Sequence, residues 1–130
     1  MSEAAVFDTR YFNHAYYADS PLDRTWLRDA FTGVRRRLIS SVTLHEVYGI
    51  ALQVEGREVA RLRCSVMGRN FMVVPLDGEL AVLSADLRHG HGLSLADGAI
   101  AATAIREGCP VVSDDPRFNE IEGLKVHWIK

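Results

Sequence analysis

Apolar residues fall along this chain in two alternating patterns. The segments at about Ala4 to Phe7, Arg37 to Ser40, Phe71 to Val74, Pro110 to Ser113 and Lys125 to Ile129 are short and mostly lack polar alternation. That pattern predicts strands buried on both faces. Between them the spacing becomes helical. Leu44, Val47, Tyr48 and Ala51 recur at i, i+3, i+4 and i+7, Leu80, Leu83 and Leu87 repeat the logic, and Val59, Leu62 and Val66 form a third stripe. Leu95 to Ile105 is apolar almost all round, which predicts a deeply buried helix, ended by Gly108-Cys109-Pro110. His89-Gly90-His91-Gly92 is the most loop-like interior stretch. Strands alternating with helices predict an α/β fold with a central parallel five-stranded sheet flanked by helices.

No repeat, low-complexity tract or linker divides the chain, so residues 1–130 are expected to form a single domain. No apolar run approaches the roughly 20 residues of a membrane span. The start, Met1-Ser2-Glu3-Ala4-Ala5, lacks the basic and apolar regions of a secretory signal, so a cytoplasmic protein with no membrane association is expected. Cys64 and Cys109 lie far apart and the five histidines have no zinc spacing, so neither a disulfide framework nor a zinc site is suggested. A formal net charge of −2 gives little long-range pull on a polyanion. Nucleic-acid contact therefore has to come from local patches or a bound cation.

The candidate chemistry lies in acids placed at element junctions. Asp8 closes the first predicted strand and Asp114-Asp115 the fourth. Glu46 falls in the first turn of the helix after the second strand, and Asp97 in the first turn of the buried helix. In an open parallel sheet the carboxyl ends of the strands share one edge, and ligands bind in the crevice there. Carboxylates gathered in that crevice repel, by roughly 4 kcal/mol per pair at about 4 Å and an effective dielectric near 20. Either some are protonated, or a hard cation such as Mg2+ or Mn2+ sits among their oxygens. Such an ion activates water and stabilises charge on a phosphodiester oxygen.

Taken singly, most of these acids also have an ordinary explanation. Thr43-Leu44-His45-Glu46 and Ser94-Leu95-Ala96-Asp97 match the capping box, and Asp115-Pro116 is a good helix start. Ser20-Pro21-Leu22-Asp23 has the same form with no strand end beside it, so the box alone identifies nothing. Asp8 resists this explanation best, because it follows an apolar run and is costly to bury without a partner.

Four blocks resemble the PIN-domain family, as found in VapC-type toxins, and the resemblance covers essentially the whole chain. They are Val6-Phe7-Asp8-Thr9, Ser41-Val42-Thr43-Leu44-His45-Glu46-Val47, the specific Leu93-Ser94-Leu95-Ala96-Asp97-Gly98-Ala99-Ile100-Ala101-Ala102-Thr103-Ala104, and Val111-Val112-Ser113-Asp114-Asp115-Pro116-Arg117-Phe118. The resemblance implies a PIN-like fold and a Mg2+- or Mn2+-dependent endoribonuclease. Asp8, Glu46, Asp97 and Asp115 become the catalytic, metal-binding acids, with Thr9, Ser113 and Asp114 supporting them. It also implies an RNA substrate, a homodimer held by helices near the N-terminus, and a VapB-type antitoxin partner. Asp115 has the family's spacing from Ser113 and Phe118, although the doubled acid leaves Asp114 as the other choice. Arg10 stands where a smaller residue is common. It and Arg117 are the candidate RNA contacts.

Arg35-Arg36-Arg37 reads better as a solvated charge run than as an RNA patch. Tyr11, Phe12, Tyr16 and Tyr17 form an aromatic stripe read as a dimer or antitoxin contact. The competing function is a non-catalytic or RNA-processing PIN-like module that binds RNA or a protein, its acids serving as caps. A receiver domain has similar alternation but needs an acidic pair after the first strand, where only Asp8 stands.

Overall fold

The short apolar runs become one parallel sheet. The computed structural model describes residues 2–17 and 20–127. Strands β1 (Ser2–Phe7), β2 (Val34–Ser40), β3 (Met72–Val74), β4 (Val111–Val112) and β5 (Val126–His127) pair in the order β3-β2-β1-β4-β5. Val6 stands opposite Leu38 on one side and Val111 on the other. The helices are α1 (Thr9–Tyr17), α2 (Pro21–Thr32), α3 (Ser41–Val54), α4 (Arg57–Asn70), α5 (Gly78–His91) and α6 (Leu95–Glu107), followed by a 3-10 turn over Pro116–Glu120. The expected five-stranded α/β fold is the fold found. The fifth strand was expected to reach Ile129, and its residues past His127 lie outside those described.

Both sheet faces are covered, which is why the strands read as apolar without alternation. Ala5, Phe7, Ile39 and Val112 face a layer containing Tyr11, Phe12, Leu27, Val47, Met67 and Phe71. Val6, Leu38 and Val111 face Leu80, Ile100, Ala101, Ala104, Phe118 and Ile121. Each large side chain buried here contributes about 1.5–3 kcal/mol. α6 is buried over nearly its whole length, as its composition predicts. Small residues let it approach α5 closely: a Cβ on Gly98 would lie 2.6 Å from Cγ of Arg88 and 2.7 Å from Oγ of Ser84.

Three expectations are corrected. α4 does not bury Val59, Leu62 and Val66; it buries Ala60 and Met67, with Leu62 62% exposed. The buried face also carries Arg63, whose guanidinium lies over the rings of Tyr16 and Tyr17, so a long cation hides part of the stripe. His89-Gly90-His91 is not a loop but the last turn of α5, which ends at Gly92 in the left-handed region. A glycine inside a helix costs only about 1 kcal/mol. The aromatic stripe is largely core: Tyr11 and Phe12 are buried and meet Phe7 and Phe71 edge-on, leaving Tyr17 exposed.

Candidate active site

β1 and β4 are neighbours, and the connections from them depart to opposite sides, so the crevice at their carboxyl ends is the topological switch point of the sheet. Asp8 follows β1 directly, and Ser113-Asp114-Asp115 follow β4. Asp8 is 1% exposed. The Ser113 hydroxyl donates to its Oδ2 at 2.6 Å, and the Asp115 backbone N–H donates to that hydroxyl at 2.9 Å. Burial drives the Asp8 carboxyl up to about 6; the Ser113 bond opposes the rise and nearby Asp97 reinforces it. Among the described residues no cation forms an ion pair with Asp8.

Asp97 lies in the first turn of α6, where the Ser94 hydroxyl accepts its backbone N–H at 3.1 Å, so one half of the capping box read from the sequence forms, while the Asp97 carboxylate goes to Arg117 instead of back to the cap. Its carboxylate faces Arg117, 2.8 Å from Nη2. Asp115 caps the 3-10 turn through Oδ1, which accepts the Arg117 N–H at 3.0 Å, and it also takes the Arg117 Nη2–H at 2.7 Å. The guanidinium hydrogen bonds hold the Asp115 carboxyl below the usual carboxylate range. Asp114 points elsewhere. Burial acts to raise it, but hydrogen bonds from Arg10 and from His14, at 2.9 Å, outweigh that and hold it low.

Glu46 requires a correction. The Ser40 hydroxyl caps α3 by accepting the Val42 N–H at 3.1 Å, so the helix begins at Ser41 and Glu46 falls in its second turn. Thr43 caps nothing; it is fully buried, with its hydroxyl 3.3 Å from that of Thr9. Glu46 accepts the Thr9 hydroxyl at 2.8 Å, which ties it to the residue following Asp8.

The structure thus joins Asp8, Ser113, Asp115, Arg117 and Asp97 in one network, attaches Glu46 through Thr9, and sets Arg10 and Asp114 at its side. Thr43 and His14 were missed by sequence reasoning. His14 had a signal, because it stands four residues after Arg10 and so shares its face of α1. The arginine run is structural: Arg37 donates to the Phe31 carbonyl at 2.8 Å with its guanidinium over that ring, and Arg35 and Arg36 pair with Glu3 and Glu107.

Among the described residues no three carboxylate, imidazole or thiolate groups stand close enough to form a ready metal cage. Arg117 explains part of this, since it occupies the oxygens of two of the acids. The donor set nevertheless fits a hard divalent cation. The donors are oxygens only, and the buried Asp8 carboxyl has its ionisation suppressed with no cation paired to it.

The family model described as PIN domain matches residues 5–124. Solved structures of similar shape include DNA-bound VapBC from Salmonella typhimurium, with 20% identity, TM-score 0.78 and 100% of both chains covered. VapBC2 from Rickettsia felis, bound to a DNA fragment from its promoter, has 16% identity and TM-score 0.77, covering 96% of this chain and 98% of that one. VapBC-5 from Mycobacterium tuberculosis, of the VapBC family of toxin–antitoxin systems, has 24% identity and TM-score 0.63, covering 98% of each. At such identities the likeness is one of fold. No curated protein matches by sequence.

Proposed function

This chain belongs to the PIN-domain family, and from that premise we propose that it is a metal-dependent endoribonuclease, the VapC-like toxin of a type II toxin–antitoxin pair. The observation that carries the reading is the meeting of acids at the β1–β4 switch point around a buried Asp8 that, among the described residues, no cation pairs. Asp8, Glu46, Asp97 and Asp115 would hold Mg2+ or Mn2+. When bound, the cation supplies an acidified water and charge stabilisation on the phosphodiester.

The chain's own residues do the positioning. The Ser113 hydroxyl fixes the rotamer of Asp8 and is itself fixed by the Asp115 N–H. Thr9 orients Glu46. Arg10, half exposed at the rim and held by Asp114, presents positive charge to RNA phosphates, which matters in a chain whose net charge is −2. The divergence of Asp114 toward α1 favours Asp115 as the fourth acid.

The shape shared with VapBC chains supports a VapB-type antitoxin partner, and a homodimer and a single domain spanning residues 1–130 are part of the same proposal. Among the described residues no helix is long and apolar enough to cross a membrane; a cytoplasmic location is part of the same proposal.

The test is cleavage of a panel of structured RNAs, tRNAs included, in Mg2+, Mn2+ and EDTA, with the Asp8→Asn, Asp97→Asn double variant alongside. Discrete fragments that require metal and vanish in the variant are expected. Fragments of equal yield from the variant would refute the assigned acids, and tight RNA binding indifferent to EDTA without cleavage would favour the non-catalytic module.

A further inference from the structure

Among the described residues, Arg117 is the one cation that bridges two of the four acids. Its Nη2 lies 2.8 Å from Oδ2 of Asp97 and 2.7 Å from Oδ2 of Asp115, and its Nε lies 3.2 Å from each oxygen of Asp115. The burial is lopsided: the side chains of Asp97 and Asp115 are 15% and 7% exposed, that of Arg117 52%. A solvent-facing arm thus reaches into the crevice and takes carboxylate oxygens that a divalent ion would also need.

We propose that Arg117 is an internal counter-ion that competes with the divalent cation for Asp97 and Asp115, so that loading metal and releasing the guanidinium are one event. The inference rests on the metal-dependent reading above. Three features lead to it. Arg117 sits on oxygens of both Asp97 and Asp115, and among the described residues the acids stand too far apart to form a ready metal cage. Asp97 and Asp115 come from different elements, α6 and the turn after β4, so a shared cation is what keeps their like charges together when metal is absent. A guanidinium does not deprotonate in a protein, so it leaves by exchange with another cation or by exposure to solvent. If only the Arg117-released state binds metal, apparent affinity is reduced by the fraction of molecules in that state. Arg117 acts here as a positioning residue: it keeps the acids gathered and sets how much metal the site requires.

The experiment compares wild type, Arg117→Gln and Arg117→Lys by calorimetric titration with Mn2+ and by melting with and without Mn2+. Circular dichroism checks each fold. Arg117→Gln is expected to bind Mn2+ at least tenfold more tightly, about 1.4 kcal/mol. It should melt lower than wild type in EDTA and gain more from added Mn2+, with Arg117→Lys between the two. In wild type the Arg117 Nε–H nuclear magnetic resonance signal should move toward its solvent-exposed position in step with Mg2+ saturation. Equal or weaker Mn2+ binding by Arg117→Gln, or a signal unmoved at saturation, would overturn the proposal while leaving the metal site standing. Absence of Mn2+ binding in all three proteins would overturn both.

Discussion

Replacing Asp8 by Asn should stabilise the metal-free protein near neutral pH even as it removes a proposed metal ligand. The carboxyl ordinarily titrates at 3.8 and is driven to about 6 here by burial. Between those values the folded chain holds a proton that the unfolded chain has released. The native-state advantage is therefore fully present below about 3.8 and is lost as pH rises through about 6. At about 1.36 kcal/mol per pH unit, the full loss is on the order of 3 kcal/mol. Asn carries no charge, and its Oδ1 can still accept the Ser113 hydroxyl that now donates to Asp8 at 2.6 Å. Its amide must find an acceptor, which takes back about 1 kcal/mol. A net gain of about 1–2 kcal/mol at pH 7.5 remains, or several degrees in melting temperature. The assay is thermal melting of both proteins in EDTA at pH 7.5 and at pH 4.5, then in Mn2+ at pH 7.5. The gain should shrink toward zero or reverse at the acid end, and Mn2+ should raise the wild-type melting temperature more than that of the variant. An Asn protein less stable than wild type at pH 7.5 in EDTA, or a difference unaltered by pH, would show that burial does not penalise the Asp8 charge as argued.

Thr9→Val removes the hydroxyl that orients Glu46 and meets Thr43, so RNA-cleavage kcat should fall about tenfold, and urea unfolding should show about 1–2 kcal/mol lost. Unchanged kcat would remove Glu46 positioning from the mechanism. Gly98→Ala places a Cβ against Arg88 and Ser84 where α5 and α6 touch, and about 1–3 kcal/mol of stability should be lost by the same measurement; a neutral result would mean the two helices separate freely.

What was legible in the sequence follows from where side chains report honestly on burial. β1, β2 and β4 were readable because both of their faces are covered and nearly every side chain entering the core is apolar. The phase of α4 was not, because its buried face includes Arg63, whose charge scores as exposed while its guanidinium lies over two tyrosine rings. Glu46 was placed one turn too early, since Thr43 looks like a cap and Ser40, hidden at a strand end, is the cap. The Arg117 bridge had no local signature, for Asp97 lies across a helix and a strand from it, and only the folded chain brings them together.

The acids also show why capping and metal binding were hard to separate from sequence: they are not alternatives. A carboxylate has two oxygens with about four lone-pair sites, and a cap uses one of them. Asp115 gives Oδ1 to the Arg117 N–H, which fixes its rotamer, and gives Oδ2 to the same Arg117 Nη2 that Asp97 meets. For Asp97 the capping partner is its backbone N–H, held by Ser94, so the carboxylate stays available to Arg117. Capping geometry therefore acts at these two positions as the support that aims each acid. A cap whose acid reaches the crevice, as at Asp97 and Asp115, raises the case for a site, whereas the same box at Ser20, between α1 and α2 and with no side-chain cap formed, does not. Removing the Ser94 hydroxyl should on this logic disturb the direction of Asp97 as well as the start of α6.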